Sequence, residues 1–288
     1  MAEINEMISG YKLRSLLQTG QVSQVFEVVE PQSNRHFAMK VLLPERADDQ
    51  EQRRVLFHEA EIGIKLRHEN IIRIVKTDKS MTNPFFIMEY FPSGSLRKRL
   101  FDKDRDFIKE HAAKIFKQCA TGLAYMHGNG WIHCDVKPDN ILVNAAGDLK
   151  LIDFAISKRW KKGFFARTFH RRRKAQGTPS FMSPEQLKGE LIDPRADVYS
   201  FGTTCYELLT FKKPFTGMNT NDLMNKVVYQ KPDSVQYHNN DITDEAAGLI
   251  LRMMQKERDK RPSTMHEVLM EFRKIRIFKS QVKTQEEY

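Results

Sequence analysis

Segment 133–140 of this 288-residue chain carries side chains whose types and spacing could support phosphoryl transfer. It reads His-Cys-Asp-Val-Lys-Pro-Asp-Asn. Asp135 could accept a proton, Lys137 could neutralise a transferring phosphoryl group, and Asn140 could offer an amide oxygen to Mg²⁺. Pro138 breaks a helix, which predicts a loop. A polar surface loop could carry the same short pattern without any chemical role, so a functional interpretation needs support from elsewhere in the chain.

Lys40 and Asp153 are two further charged residues in unusual surroundings. Lys40 follows the apolar residues Phe37-Ala38-Met39 in a predicted strand, and Asp153 follows a predicted strand at 149–152. A strand lysine is usually a solvated edge residue, because burial of an unpaired ammonium group is costly. A chemical role for Lys40 therefore requires a fold that gives it a partner.

The elements that must position these residues follow from hydrophobic periodicity. Alternating apolar and polar residues predict that the chain begins with antiparallel β-strands, which are followed by a helix with acids near its beginning. The breaker cluster at 92–95 marks a change to mainly helical structure. The predicted strands are 11–17, 22–29, 36–42, 71–76, 84–90, 141–143 and 149–152, and the predicted helices are 48–66, 96–100 and 108–127.

The composition favours a compact, soluble protein with anionic partners. Lys and Arg number 47 against 37 Asp and Glu, which gives a formal charge of +10 and a pI near 9.4. Hydrophobic residues make up 40% of the chain, which argues against disorder. No apolar run approaches the ~20 residues of a membrane helix, and residues 1–10 lack the apolar core of a secretory signal. The three cysteines are widely spaced and indicate neither a disulfide framework nor a zinc site, so a cytoplasmic location is expected.

In their order, the motifs resemble those of a eukaryotic-type (Hanks-type) serine/threonine protein kinase catalytic domain, from about residue 11 to about 277. The resemblance implies an α+β, bilobal protein-kinase fold. It places a five-stranded antiparallel N-lobe with helix C at 11–92, a mainly helical C-lobe at 93–277 and a polar tail at 278–288. The matching segments are 37–40 for V-A-I-K, Glu59 for the helix C glutamate, 133–140 for H-R-D-x-K-x-x-N, 153–155 for D-F-G, 183–185 for A-P-E, 197–202 for the helix F signature and Arg261 for the arginine that pairs with the A-P-E glutamate.

The resemblance also implies an activity, which is transfer of the γ-phosphate of MgATP to Thr or Ser hydroxyls of a protein substrate. Asp135 would be the catalytic base, and Lys40, paired with Glu59, would hold the α and β phosphates. Lys137 and segment 177–182 are typical of serine/threonine rather than tyrosine kinases. Mg²⁺, or Mn²⁺ in its place, would be bound by Asn140 and Asp153. The nucleotide would be bound by Gln18, Gly20, Val25, Ala38, Lys40, Met88, Glu89, Phe91 and Leu142.

Several positions depart from the family pattern. Gln18 and Ser23 replace two glycines of the glycine-rich loop, which is expected to weaken its approach to the phosphates. Cys134 replaces the arginine that anchors a phosphorylated activation loop, and Ala155 replaces the D-F-G glycine. Gly63 replaces a bulky residue, which predicts a hole, a loosened Glu59 and an inactive state. The alternative function is therefore a pseudokinase-like scaffold that binds nucleotide with weak or no transfer.

Segment 157–176 holds nine Lys or Arg and no acid. A charge run is often only a solvated loop, but this one adjoins the peptide-docking region that the resemblance implies. We therefore expect acidic substrates or a phosphorylated partner. Nucleic-acid binding through Arg171, Arg172 and Arg173 is an alternative, but it is disfavoured because these arginines lack the interleaved geometry of a base-stacking site. Thr168 is a candidate autophosphorylation site. Kinases that prefer basic substrates often carry acids for a substrate arginine at the positions of Ser95 and Asp139, and this chain keeps the acid only at Asp139.

Overall fold

The computed structural model describes residues 6–160 and 176–280. These residues form two compact units. The first comprises 6–92 together with 152–156, and the second comprises the remaining described residues from 93 onward. The segment 152–156, which carries Asp153, thus belongs to the first unit although it lies far along the chain. Lys161–Lys162, Arg167, Thr168 and Arg171–Lys174 lie outside the described residues.

The first unit contains an antiparallel sheet of six strands, in the order β1-β2-β3-β4-β6-β5. The prediction of five strands missed β1, a two-residue strand too short to show a period. Ile8 of β1 is buried and pairs with Tyr11. The strands are β1 (Met7–Ile8), β2 (Tyr11–Thr19), β3 (Ser23–Glu30), β4 (Arg35–Leu42), β5 (Ile74–Asp78) and β6 (Phe85–Glu89).

Helix α1 (Gln50–Lys65) packs against this sheet within the first unit. Asp49 caps it, because the Asp49 side chain accepts hydrogen bonds from the backbone N–H groups of Glu51 and Gln52. The buried face of α1 includes Leu56 and Ala60, which pack with residues of β4, β5 and β6. Glu59 lies on the same buried face, so the capped helix carries its carboxylate into the unit.

The predicted hole at Gly63 is absent, and that prediction was wrong. A Cβ built on Gly63 would lie 2.4 Å from Cδ1 and 2.6 Å from Cγ1 of Ile74. The side chain of Ile74, on β5, therefore fills the space that a larger residue would take. The glycine permits a close approach of helix and strand rather than leaving a void.

The second unit is mainly helical. Helix α5 (Arg195–Thr210) is buried along nearly its whole length. The ring of its Phe201 packs with the rings of Phe116 and Phe272 from two other helices, and the three ring centroids are 5.3–6.2 Å apart. The helices are α2 (Leu96–Phe101), α3 (Arg105–Gly128), α4 (Pro184–Leu187), α5 (Arg195–Thr210), α6 (Thr220–Tyr229), α7 (Val235–His238), α8 (Asp244–Met253) and α9 (Met265–Lys274), and the strands are β7 (Gly94–Ser95), β8 (Trp131–Ile132), β9 (Ile141–Val143), β10 (Leu149–Leu151) and β11 (Lys158–Arg159).

The sheet-based first unit and the helical second unit confirm the α+β class of the prediction. The predicted polar tail needs a correction at its start, because Phe278 is buried and bridges Ile242. Ser280 donates a hydrogen bond of 2.6 Å from its Oγ to Oδ2 of Asp241. Residues 278–280 therefore pack with the second unit. None of the helices in the described part of the chain has the length and apolar character needed to cross a lipid bilayer.

Gly63→Ala is expected to lower the free energy of unfolding by about 1–3 kcal/mol, because the new methyl group overpacks against Ile74. Chemical denaturation of both proteins measures the difference. Gly248→Ala in α8 is the matched control, since nothing lies within 4 Å of a Cβ added there. At that position alanine should raise the free energy of unfolding by up to about 1 kcal/mol. Equal stabilisation by both substitutions would contradict the close packing at position 63.

Candidate active site

The first unit contains a lysine paired with a buried glutamate. Lys40 Nζ, on β4, lies 2.6 Å from Oε2 of Glu59, on α1. The pair answers the sequence-based objection to a strand lysine among apolar residues, because the ammonium group has a carboxylate partner. The contact with Lys40 is thus formed although position 63 is a glycine.

Asp153 lies near the same lysine. Its Oδ1 is 4.0 Å from Lys40 Nζ and accepts a hydrogen bond of 3.4 Å from the backbone N–H of Ala155. Asp153 itself adopts a positive φ of 68°, a conformation uncommon for any residue but glycine. Ala155 is absent from the positive-φ residues of the described chain, so its own conformation does not require the family's glycine.

Electrostatics within this cluster couple its three charges. Burial lowers the pKa of Lys40, but the charges of Glu59 and Asp153 outweigh that effect and raise the pKa above its ordinary value. Burial raises the pKa of Glu59 to about 7, with Lys40 opposing and the negative charge of Asp153 adding to the rise. The ammonium group therefore stays charged at neutral pH, whereas Glu59 titrates close to neutrality.

A pH dependence follows for any reaction that uses this pair. The kcat/KM for ATP is expected to rise with pH through about 7, because deprotonation of Glu59 completes the ion pair with Lys40. Initial rates between about pH 6 and 8 measure this rise, since kcat/KM reports ionisations of the free enzyme. Glu59→Gln should remove the rise in kcat/KM. An unchanged rise in that variant would assign the titration to another group.

Four further predicted nucleotide residues of the first unit lie on the neighbouring strands β3, β4 and β6. Ala38 on β4 is directly opposite Met88 on β6, and Val25 on β3 is opposite Lys40. Glu89 ends β6, and its carboxylate accepts a 2.8 Å hydrogen bond from the backbone N–H of Arg73. Phe91 follows two residues after Glu89, and Leu142 lies on β9 of the second unit.

The glycine-poor hairpin between β2 and β3 is closed by its own backbone. The N–H of Gly20 donates to the carbonyl of Ser23 over 2.9 Å, and Gln18 pairs with Val25 beside a register shift in β2. A Cβ at Gly20 would lie 3.3 Å from the Ser23 carbonyl oxygen. The glycine that the motif retains thus lies where the backbone of the turn approaches closely.

The second unit holds Asp135 in a network of hydrogen-bond donors. Oδ2 of Asp135 accepts from Lys137 Nζ at 2.6 Å and from Asn140 Nδ2 at 2.9 Å. Oδ1 accepts from the backbone N–H of Thr178 at 3.3 Å. Lys137 Nζ also donates to Oγ1 of Thr178 at 2.8 Å. The carboxylate is therefore oriented, and a lysine that can carry charge lies beside it.

Asp197 holds the backbone of the loop at 133–140, a contact that sequence reasoning did not predict. Its carboxylate accepts from the backbone N–H groups of His133 at 2.8 Å and Cys134 at 2.9 Å, and from Nε2 of His127 at 2.8 Å. Burial raises the pKa of Asp197, but the bonds and charge of His127 and the charge and N–H of His133 outweigh it and hold the pKa below its ordinary value. The signal in the sequence was an acid at the start of the helix signature at 197–202, where Val198, Tyr199 and Phe201 indicate a buried helix.

One further contact holds the loop at 133–140, at Cys134. Gln186 Nε2 donates to the carbonyl of Cys134 at 2.9 Å, and Cys134 takes a positive φ of 70°. Burial raises the pKa of the Cys134 thiol. A buried thiol with a raised pKa is a poor redox sensor, so we interpret Cys134 as a small packing residue.

The residues expected to bind Mg²⁺ fit a hard cation. Asn140 donates its amide N–H groups to Asp135, which leaves the amide oxygen as the atom that can face an ion. Asp153 offers a partly exposed carboxylate. In residues 6–160 and 176–280, no group of three or more His, Cys, Asp or Glu forms a metal cluster. Each residue thus offers an oxygen atom of the kind that Mg²⁺ prefers, and Mg²⁺ needs few protein ligands because it retains waters and takes phosphate oxygens.

Comparisons with known proteins agree with this arrangement. A probable serine/threonine-protein kinase of Streptomyces coelicolor is 28% identical over 272 residues, which cover 93% of this chain and 40% of that protein. Serine/threonine-protein kinase Aurora-1 of Arabidopsis thaliana is 33% identical over 77% of this chain and 72% of that protein. Serine/threonine-protein kinase PknL of Mycobacterium tuberculosis is 32% identical over 78% of this chain and 54% of that protein.

The chain thus spans less than half the length of the Streptomyces protein and about half that of PknL. The model of the protein kinase domain family matches residues 11–272, which is nearly the whole chain. The predicted resemblance is confirmed by this match. The chain therefore belongs to the protein kinase domain family and carries a catalytic domain of the serine/threonine kinase type.

Proposed function

We propose that this protein transfers the γ-phosphate of ATP, bound with Mg²⁺, to Thr or Ser hydroxyls of a protein substrate. The observation that carries the proposal is the network in which Lys137, Asn140 and Thr178 orient the Asp135 carboxylate. A scaffold that only bound partners would have no chemical need for this constellation. The ordered pair of Lys40 and Glu59 adds support.

In this mechanism the acceptor hydroxyl oxygen forms a bond to the γ-phosphorus while the bond from that phosphorus to the β–γ bridging oxygen breaks. The hydroxyl proton moves to Asp135, and ADP is the leaving group. Lys137, beside Asp135, neutralises negative charge on the transferring phosphoryl group. Lys40, held by Glu59, binds the α and β phosphates and orients the nucleotide.

Asn140 and Asp153 would hold the metal ion through their amide and carboxylate oxygens. Mg²⁺, when bound, neutralises charge on the phosphate oxygens and fixes their geometry. The choice of an aliphatic hydroxyl as acceptor is supported by the contact of Lys137 Nζ with Thr178 Oγ1 at 2.8 Å. That contact links the catalytic loop to segment 177–182, as the serine/threonine resemblance implies.

Acidic proteins are the proposed substrates. The support is the positive charge of segment 157–176, of which Lys158 and Arg159 form strand β11. Arg159 lies with its guanidinium carbon 4.7 Å from the centroid of the Trp131 ring and donates to the carbonyl of Asn129 at 2.9 Å. Such charge attracts acidic partners in a salt-dependent way.

The test is transfer of labelled γ-phosphate from ATP with Mg²⁺ or Mn²⁺ to the protein itself and to an acidic Thr/Ser protein. Label on phosphothreonine or phosphoserine is the expected result. A matched substrate with its acids replaced by amides should accept less label, and the difference should shrink at high salt. Wild type that binds ATP but transfers no label under either metal would favour the pseudokinase-like scaffold instead.

A further inference from the structure

Arg97, on helix α2, is clamped by two carboxylates of the second unit. Its Nη1 and Nη2 donate to Oε1 and Oε2 of Glu207 at 2.8 and 3.2 Å, and its Nε donates to Oδ2 of Asp139 at 3.1 Å. The forked contact with Glu207 is the geometry in which a guanidinium binds a carboxylate most strongly. The guanidinium carbon also lies 5.9 Å from the centroid of the Phe181 ring.

The carboxylates come from separate elements and differ in exposure. Glu207 lies on α5 with its side chain only 7% exposed, whereas Asp139 lies in the catalytic loop with its side chain 44% exposed. A nearly buried carboxylate needs a positive partner, because an unpaired buried charge is costly. These acids with the Phe181 ring therefore form a site shaped for one guanidinium, and the chain's own Arg97 occupies it.

This guanidinium site lies within reach of a peptide bound at Asp135. Asp139 is four residues from Asp135, so the two are at most about 14 Å apart. An extended peptide advances roughly 3.3 Å per residue, so a side chain a few residues from the acceptor could span that distance. Phe181 lies three residues after Thr178, whose backbone N–H contacts Asp135.

We propose that Arg97 is a specificity-determining residue that fills the guanidinium site and so excludes substrate arginine from it. The inference adds a substrate preference to the proposed kinase function. Its claim about substrates rests on that function, whereas its claim about the guanidinium site does not. The sequence predicted that Asp139 is available for a substrate arginine. In the structure Asp139 is already paired with Arg97. Selection against basic residues near the acceptor complements the attraction of acidic ones.

The first test needs no catalysis. Arg97→Ala should leave Glu207 unpaired, and millimolar methylguanidinium should then raise the melting temperature of this variant but not that of wild type. Arg97→Ala/Glu207→Gln should not respond, because the carboxylate that binds the probe is gone. Arg99→Ala is the matched control, since Arg99 lies on the same helix and pairs with Asp104 instead at 2.7 Å. No rescue of Arg97→Ala would overturn the site.

The second test measures substrate choice. For paired peptides that differ by Arg or Ala a few residues from the acceptor, Arg97→Ala should raise the ratio of kcat/KM values, Arg over Ala, by about tenfold or more relative to wild type. Arg97→Gln serves if the alanine variant is unstable, because it also removes the charge. An unchanged ratio in an active variant overturns the proposal. If wild type transfers no phosphate at all, that result contradicts only the proposed kinase function. The methylguanidinium test still shows whether the guanidinium site exists.

Discussion

Asp135→Asn is expected to lower kcat by about 10²–10⁴-fold, the range that general acid–base catalysis contributes. The amide cannot accept the proton that the acceptor hydroxyl loses. The contacts around position 135 are otherwise preserved in shape, because Asn has the size of Asp and can still accept one hydrogen bond from Lys137 or Asn140. Single-turnover transfer of labelled phosphate isolates the affected step.

ATP affinity and the unfolding midpoint of Asp135→Asn are expected to stay close to those of wild type. Asp102→Asn is the matched control, since Asp102 forms an exposed pair with Lys98. That variant should keep full kcat. Transfer by Asp135→Asn at the wild-type rate would remove Asp135 from the role of base and would require another proton acceptor.

Arg261→Ala is expected to lower the free energy of unfolding by about 3–5 kcal/mol, the cost of leaving a buried charge without its partner. Arg261 donates from Nη1 and Nη2 to the Glu185 carboxylate at 2.7 and 2.8 Å. The side chains are 0% and 4% exposed. Arg261 also donates to the carbonyls of Gln255, Arg195 and Lys256, so truncation leaves several acceptors unsatisfied.

Denaturant unfolding followed by fluorescence measures this loss. Arg252→Ala is the control, because Arg252 pairs with Glu271 at the surface, where such pairs contribute about 1 kcal/mol or less. Arg261→Met/Glu185→Gln should recover part of the stability, since no buried carboxylate remains. A loss no larger than that of Arg252→Ala would show that Glu185 is well solvated without its partner.

The motifs predicted from the sequence were those whose function is encoded by residue type and order. Lys40 and Glu59 are 19 residues apart, and the resemblance sufficed to predict their ion pair. The hole predicted at Gly63 was wrong for a physical reason. Its space is filled by Ile74, and a pattern within one helix contains no information on which strand residue packs against it.

The contacts of Arg97 and Asp197 were missed for a related reason. Arg97 meets Glu207 across 110 positions of sequence, and Asp197 meets His133 across 64. Periodicity predicts which face of a helix is buried but not which donor a buried acid will bind. The short strand β1 was missed because two residues cannot display an alternating pattern.

The burial of α5 has a consequence for motion in the second unit. Asp197 of α5 accepts the backbone N–H groups of His133 and Cys134, and Glu207 near the other end of the helix binds Arg97. Local opening of the segment before Asp135 must therefore break bonds to the most deeply packed helix of the unit. The amide hydrogens of His133 and Cys134 should therefore exchange with deuterated solvent only about as fast as the whole unit unfolds. The amide hydrogens of the exposed hairpin at Gly20 should exchange hours earlier.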